Sequence, residues 1–205
     1  STDVISVPME GYLLEDVSLP GGITPDGRFV LFYSFSGNLA PGDTNYRLDV
    51  YVRDRLNSTT SRASLRSTGA QIVDYDSYPI RISHDGRYVA FETAAPNVVT
   101  GDTNNRGDAF VRDMQTGLVT RISLNASGGQ HTSFSGWKLT ADMRYLLFYS
   151  EADNVLPGDT NGYFDVFVRD TQTGIIERVS IAHDGSQPNN HVTPQGITDD
   201  GRFVL

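Results

Sequence analysis

Apolar positions along the chain fall into short blocks with two kinds of pattern. Residues 29–33, 88–91 and 145–149 are nearly continuous apolar runs, the pattern of a strand covered on both faces. Other blocks alternate. Val166 and Val168 point one way while Phe167 and Arg169 point the other. Arg121, Ile122, Ser123 and Leu124 alternate as well, and so do Arg178, Val179, Ser180 and Ile181. No apolar stripe of 3.6-residue period is sustained, so the pattern predicts strands and no helix.

The blocks recur. Ile23-Thr24-Pro25-Asp26-Gly27-Arg28-Phe29-Val30 returns as Ile82-Ser83-His84-Asp85-Gly86-Arg87-Tyr88-Val89. It returns again from Leu139 to Leu146 and from Ile197 to Val204. The aspartates at 26, 85, 142 and 200 are separated by 59, 57 and 58 residues. A second signature keeps the same step. Gly-Asp-Thr-Asn at 42–45, 101–104 and 158–161 is followed by the strand-like blocks 49–54, 108–113 and 165–170. Each repeat then reads as four short strands: one before the Asp-Gly turn, the apolar run after it, and the two alternating blocks. Asp-Gly suits the first hairpin because glycine accepts positive φ.

Four antiparallel strands per repeat describe a β-propeller blade. The Ser/Thr-x-Asp-Gly-Arg-Tyr/Phe-Val-x-Phe block, followed by Asp-Val-Phe-Val-Arg-Asp-x-x-Thr-Gly, resembles the WD40-like PD40 repeat of TolB-type propellers over nearly the whole chain. The fold class expected is all-β: four-stranded antiparallel blades of about 58 residues, three complete, with partial blade strands at both ends. Counted from the turn, the units are 1–22 (the end of a preceding blade and a linker), 23–81, 82–138, 139–196, and 197–205 as the start of another. Residues 3–7 read as a strand of the fourth type. The step exceeds the roughly 40–45 residues of a WD40 blade. Much of the excess lies in 38–48 and its counterparts. About 3.5 such units fit in 205 residues, which predicts a portion of a larger propeller, with another chain or segment completing it.

Composition narrows the function. With 38% hydrophobic residues the chain can build a core, and no apolar stretch is long enough for a membrane helix. The absence of cysteine excludes disulfides, thiolate metal sites and a thiol nucleophile. A net charge of −9 argues against nucleic acid as a partner. Most charges follow the repeat: Arg28, Arg87, Arg144 and Arg202; Arg53, Arg112 and Arg169; Arg62, Arg121 and Arg178. A catalytic group is needed once and a scaffold group in every blade, so this arginine ladder is expected to pin loops between blades through paired hydrogen bonds to carboxylates.

The Gly-Asp-Thr-Asn loop carries the sharper expectation. Asp43, Asn45 and Asp49 have the spacing D-x-N-x-x-x-D, as do Asp102, Asn104 and Asp108, and Asp159, Asn161 and Asp165. Oxygen ligands at positions 1, 3 and 7 suit a hard cation, so one Ca²⁺ per blade is the expected cofactor. The same residues also suit a turn in which Asp and Asn accept backbone N–H groups, or an Asp that meets an Arg. The loop is not an EF-hand. Its twelfth position lies down a strand, roughly 16 Å from the seventh.

Single-copy chemistry is sparse. No nucleophile elbow, phosphate loop or H-E-x-x-H is present. His131, His183 and His191 fall in inter-blade connections and are the candidates for a transition-metal cluster. Trp137 either packs between blades or lines the central funnel. The expectation is a non-enzymatic secreted or periplasmic binding or scaffold module, with a protein or carbohydrate partner at one face and no membrane insertion. Its rival is the propeller domain of a larger peptidase or glycan-cleaving enzyme.

Overall fold

The computed structural model describes residues 5–8, 17–131 and 135–205. Among these described residues, twelve strands form three four-stranded antiparallel sheets. Blade 1 is β1 (Ser18–Ile23), β2 (Phe29–Ser34), β3 (Asp49–Asp54) and β4 (Thr59–Arg62). Blade 2 is β5 (Ser77–Ile82), β6 (Tyr88–Thr93), β7 (Asp108–Asp113) and β8 (Val119–Arg121). Blade 3 is β9 (Ser135–Leu139), β10 (Tyr145–Ser150), β11 (Asp165–Asp170) and β12 (Ile176–Arg178). Strand order follows chain order in every sheet. Counting units from the Asp-Gly turn therefore cuts each sheet after its first strand. The sequence motif repeats at the turn, whereas hydrogen bonding groups the strand before it with the strand after.

The expected pattern is visible in the burial. In β2, β6 and β10 consecutive residues are buried, because both faces of the sheet are covered. Leu31, Val50 and Val52 of blade 1 pack with Ile82, Val89 and Phe91 of blade 2. One repeat later, Ala90 and Ala109 of blade 2 pack with Leu139, Leu146 and Phe148 of blade 3. Each blade also stacks two rings across its second and third strands: Phe32 on Tyr51, Phe91 on Phe110 and Phe148 on Phe167, with centroids 5.4–5.7 Å apart. The core is thus a series of inter-blade seams. Strand β5 touches β1, β2 and β3 of the blade before it and β9 of the blade after it.

The first hairpin closes as its sequence predicts. Thr24 donates its hydroxyl to Asp26 at 2.6 Å, Asp26 accepts the Arg28 amide at 3.0 Å, and Gly27 sits at φ 71°. At the end of the chain, Ile197 and Val204 form one antiparallel bridge around the same kind of turn. Residues 3 and 4 of the expected N-terminal strand lie outside the described residues, and 5–8 are irregular.

Candidate functional site

The three Asp-Asn loops are built alike, from the long connection after the second strand and the end of the fourth. In blade 1 the strand β4 directs Arg62 back under the loop. Its Nη1 lies 3.2 Å from Asp43 Oδ1 and 3.2 Å from Asp49 Oδ2, and all three side chains are buried. In blade 2 Arg121 Nη1 is 3.4 Å from Asp102 and 3.8 Å from Asp108. In blade 3 Arg178 is 3.4 Å from Asp159 and 3.7 Å from Asp165. Each pair of carboxylates that the sequence selects as metal ligands therefore faces one guanidinium.

The other oxygens of the motif are also engaged. The Asn45 carbonyl accepts the Arg47 amide at 3.1 Å, and its amide donates to the Ile72 carbonyl and to Asp49. Asn161 repeats this with Tyr163, Pro188 and Asp165, while Asn104 accepts from Arg106 and donates to the His131 carbonyl. The asparagine oxygen thus closes an Asx turn and points away from the carboxylates. Among the described residues, no three Asp, Glu or His side chains form a group that would hold a metal ion. A Ca²⁺ ion needs six to eight oxygens. This donor set does not fit one while the guanidinium is in place.

Two further repeat-locked residues complete the loop, and the sequence reading passed over both. Ser64, Ser123 and Ser180 donate to Asp49, Asp108 and Asp165, and their oxygens accept the amides of Val50, Ala109 and Val166 at 2.9–3.1 Å. Gln130 and Gln187 donate to the carbonyls of Gly101 and Gly158, and Gln71 donates to Asp43. Their signal was the 59- and 57-residue step itself, carried by uncharged side chains.

Electrostatics follow from burial. Two carboxylates share one cation in each loop, and desolvation raises Asp49 and Asp102 to about 6. The outer pins behave oppositely. Arg28 grips Asp54 through Nε at 3.2 Å and Nη2 at 2.8 Å, and this pairing holds the Asp54 carboxyl well below the usual range. Arg87–Asp113 and Arg144–Asp170 repeat the contact at 2.7 and 2.9 Å. These pins join two turns of the same blade, which corrects the expectation of a ladder between blades. The fork spans the 26 residues from one hairpin turn to the next because β2 and β3 bring those turns side by side. Arg169 does cross between blades, reaching the carbonyls of Leu124 and Asn125.

The single-copy candidates separate. His131 is buried against the ring of Phe148, and desolvation lowers its pKa to about 3. His183 and His191 are exposed, and His191 accepts the Phe164 amide at 2.9 Å. The three do not form a metal cluster. Trp137 packs in the seam between blades 2 and 3, as the packing alternative predicts, and donates to Glu92.

The side chains that vary between blades gather at one end of the sheets, where the second strand finishes and the third begins. Tyr33, Glu92 and Tyr149 occupy one equivalent position. Tyr33 meets Tyr78, Glu92 meets Trp137, and Tyr149 meets Phe164, which stands against His191 and, through it, Tyr163.

Comparison with known proteins gives the same architecture. No family model and no curated protein matches the chain. Among solved structures, TolB from Acinetobacter baumannii aligns at TM-score 0.51 and 16% identity, over 93% of this chain and 37% of its own. A structure from an analysis of two prolyl endopeptidases aligns at TM-score 0.55 and 14% identity, over 92% of this chain and 25% of its own. The β-propeller domain of the Trilobed protease from Pyrococcus furiosus aligns at TM-score 0.45 and 15% identity, over 80% and 43%. The fold is a β-propeller. Three blades are present, and the chain spans little more than a third of the TolB chain.

Proposed function

We propose that this propeller is a non-enzymatic binding or scaffold module whose partner docks at the rim of varying side chains. One observation carries the reading. The charged groups that recur in every blade are mostly tied up within the scaffold, in ion pairs and turn hydrogen bonds, whereas the aromatic and acidic groups that differ between blades are gathered at one end. A scaffold repeats what holds it together and varies what it presents. Tyr78 is 44% exposed and Tyr163 36%, so both offer ring faces to a ligand. Aromatic faces beside the carboxylate of Glu92 suit a peptide or a carbohydrate. An extracellular or periplasmic location goes with the TolB-type resemblance. The second reading, a propeller domain of a larger hydrolase, draws on the prolyl endopeptidase alignment, which speaks for the fold alone.

In the same reading the Asp-Asn-Arg loops are structural locks in place of calcium sites. The melting temperature is expected to be the same in millimolar Ca²⁺ and in chelator, and a Ca²⁺-dependent rise would restore the cation. The rim is tested on peptide and glycan arrays. Tyr78→Ala and Tyr163→Ala should weaken any binding by about tenfold or more, while leaving the melt unchanged. Binding that survives both substitutions would move the site elsewhere.

A further inference from the structure

Three times in this chain an arginine sits between an aromatic ring and a carboxylate. Arg28 lies over the Phe29 ring at 4.5 Å while it grips Asp54. Arg87 lies over Tyr88 at 4.9 Å while it grips Asp113, and Arg144 over Tyr145 at 4.8 Å while it grips Asp170. The ring attracts the cation through its π face, and the carboxylate takes the guanidinium hydrogen bonds. At the rim between blades 1 and 2 the same two kinds of group meet without an arginine.

That junction is built by three blades. Tyr33 of β2 and Tyr78 of β5 stand with ring centroids 6.2 Å apart. Glu92 of β6 lies directly opposite Tyr78 in the register of β5 and β6. Trp137 of β9 donates its indole N–H to Glu92 and so orients the carboxylate. Asp76, two residues before Tyr78, accepts the Leu48 amide at 3.1 Å and is thereby tied to the loop of blade 1. Both carboxylates act on the Tyr78 phenol. Burial raises its pKa, and the negative charges of Asp76 and Glu92 raise it further.

These two acids differ from those of the scaffold. In each blade the recurring aspartates of the loop and of the outer hairpin turn face a guanidinium. Among the described residues, neither Asp76 nor Glu92 enters an ion pair. Glu92 is half-buried, and desolvation lifts its carboxyl above the ordinary range, with the Trp137 bond offsetting only part of the rise. A carboxylate drawn partly out of water with no counter-charge is stabilised by an arriving cation. The counterparts of Glu92 and Asp76 at blade 3 are Tyr149 and His191, which carry no negative charge.

We infer that this junction receives an arginine side chain of a partner peptide, its guanidinium laid against Tyr78 and its hydrogen bonds taken by Glu92 and Asp76. The inference rests on the reading of the rim as the docking site, and at this junction it selects a peptide over a carbohydrate. Arginine fits better than lysine because its plane stacks on a ring while its edge donates to a carboxylate. Tyr78 is exposed, so the place is open. A free amine would bury little of itself there, whereas a peptide continues across the rim. The net charge of −9 draws a basic segment toward the chain.

The test uses fluorescent nonapeptides in which glycine alternates with arginine, lysine or citrulline. They are titrated into the 205-residue chain at about 0.15 M salt and read by anisotropy. The arginine peptide should bind at least about fivefold more tightly than the lysine peptide and about tenfold more tightly than the citrulline peptide. Glu92→Gln and Asp76→Asn keep acceptors for Trp137 and Leu48, so the melt should hold while arginine-peptide affinity falls about five- to tenfold. Glu177→Gln removes the same charge from an exposed position on β12 and should leave the affinity unchanged. Equal binding of the three peptides, no binding of the arginine peptide, or an equal loss in Glu177→Gln overturns the inference. Glycan binding that Tyr78→Ala abolishes, with no arginine peptide bound, overturns it and leaves the rim as the docking site. Arginine-peptide binding that survives both Tyr78→Ala and Tyr163→Ala removes the two readings together.

Discussion

At the scale of the residue, each blade buries two aspartates and one arginine, a net negative charge. Such a group is stable only while every member is present, because an unpaired buried charge cannot recover its hydration. Arg62→Leu should therefore cost about 3–5 kcal/mol in urea unfolding. A loss below about 1 kcal/mol would mean that water already screens the group. The pH response separates two kinds of carboxylate. Asp49 and Asp102 sit near 6 when folded against an ordinary 3.8. Between those values the folded chain holds more protons, so their contribution falls as pH rises through about 4 to 6. His131 acts oppositely over the same interval, since it stays neutral when folded down to about 3 and charges on unfolding. Asp54 and Asp113 have depressed values, so their contribution is lost as pH falls below the unfolded carboxylate range. The difference is read by substitution. In Asp102→Asn the stability curve between about pH 4 and 6 should tilt upward relative to the parent. Parallel curves would mean that Asp102 is ionised throughout.

At the scale of the element, the Asp-Gly hairpin serves two purposes, and only one was legible beforehand. The turn needs positive φ, which glycine supplies at 27, 86 and 201, and Met143 takes up at φ 63°. The second purpose is contact. A Cβ on Gly86 would stand 2.1 Å from the Phe29 ring of the preceding blade, and one on Gly201 would stand 2.4 Å from Tyr145. The turns at Gly86 and Gly201 thus rest on the aromatic ring that opens the second strand of the blade before. Gly86→Ala should combine backbone strain with overpacking and cost about 1–3 kcal/mol or more. Gly27→Ala has only the end of the Arg55 side chain within 4 Å and should cost less. Equal thermal shifts for the two would remove the inter-blade contact as the reason.

At the scale of the whole molecule, stability lies in seams between blades, so a residue matters according to whether its seam is formed. Leu139→Ala opens a cavity between blades 2 and 3 and should cost about 2–5 kcal/mol. Ile23→Ala, at the equivalent place in blade 1, should cost well under 1 kcal/mol in the 205-residue chain, because water already reaches the side chain. Denaturant midpoints decide it. Comparable losses would mean that Ile23 is covered in solution.

Strand identity, the four-strand repeat and its first turn were all readable from the sequence, because they depend on alternation over neighbouring residues and on the φ that glycine permits. The recurrence of Arg28, Asp43, Asp49, Asp54 and Arg62 was readable too, but not their partners. The spacing of Asp43, Asn45 and Asp49 describes a ring of oxygens equally well with a cation or a guanidinium at its centre. Only the pairing of β3 with β4 brings Arg62 into that place, from residues far along the chain. The gathering of Tyr33, Tyr78, Glu92 and Trp137 at one rim likewise depends on how three sheets stand side by side. Contacts within a blade follow from short-range pattern, whereas those between blades exist only after the seams have closed.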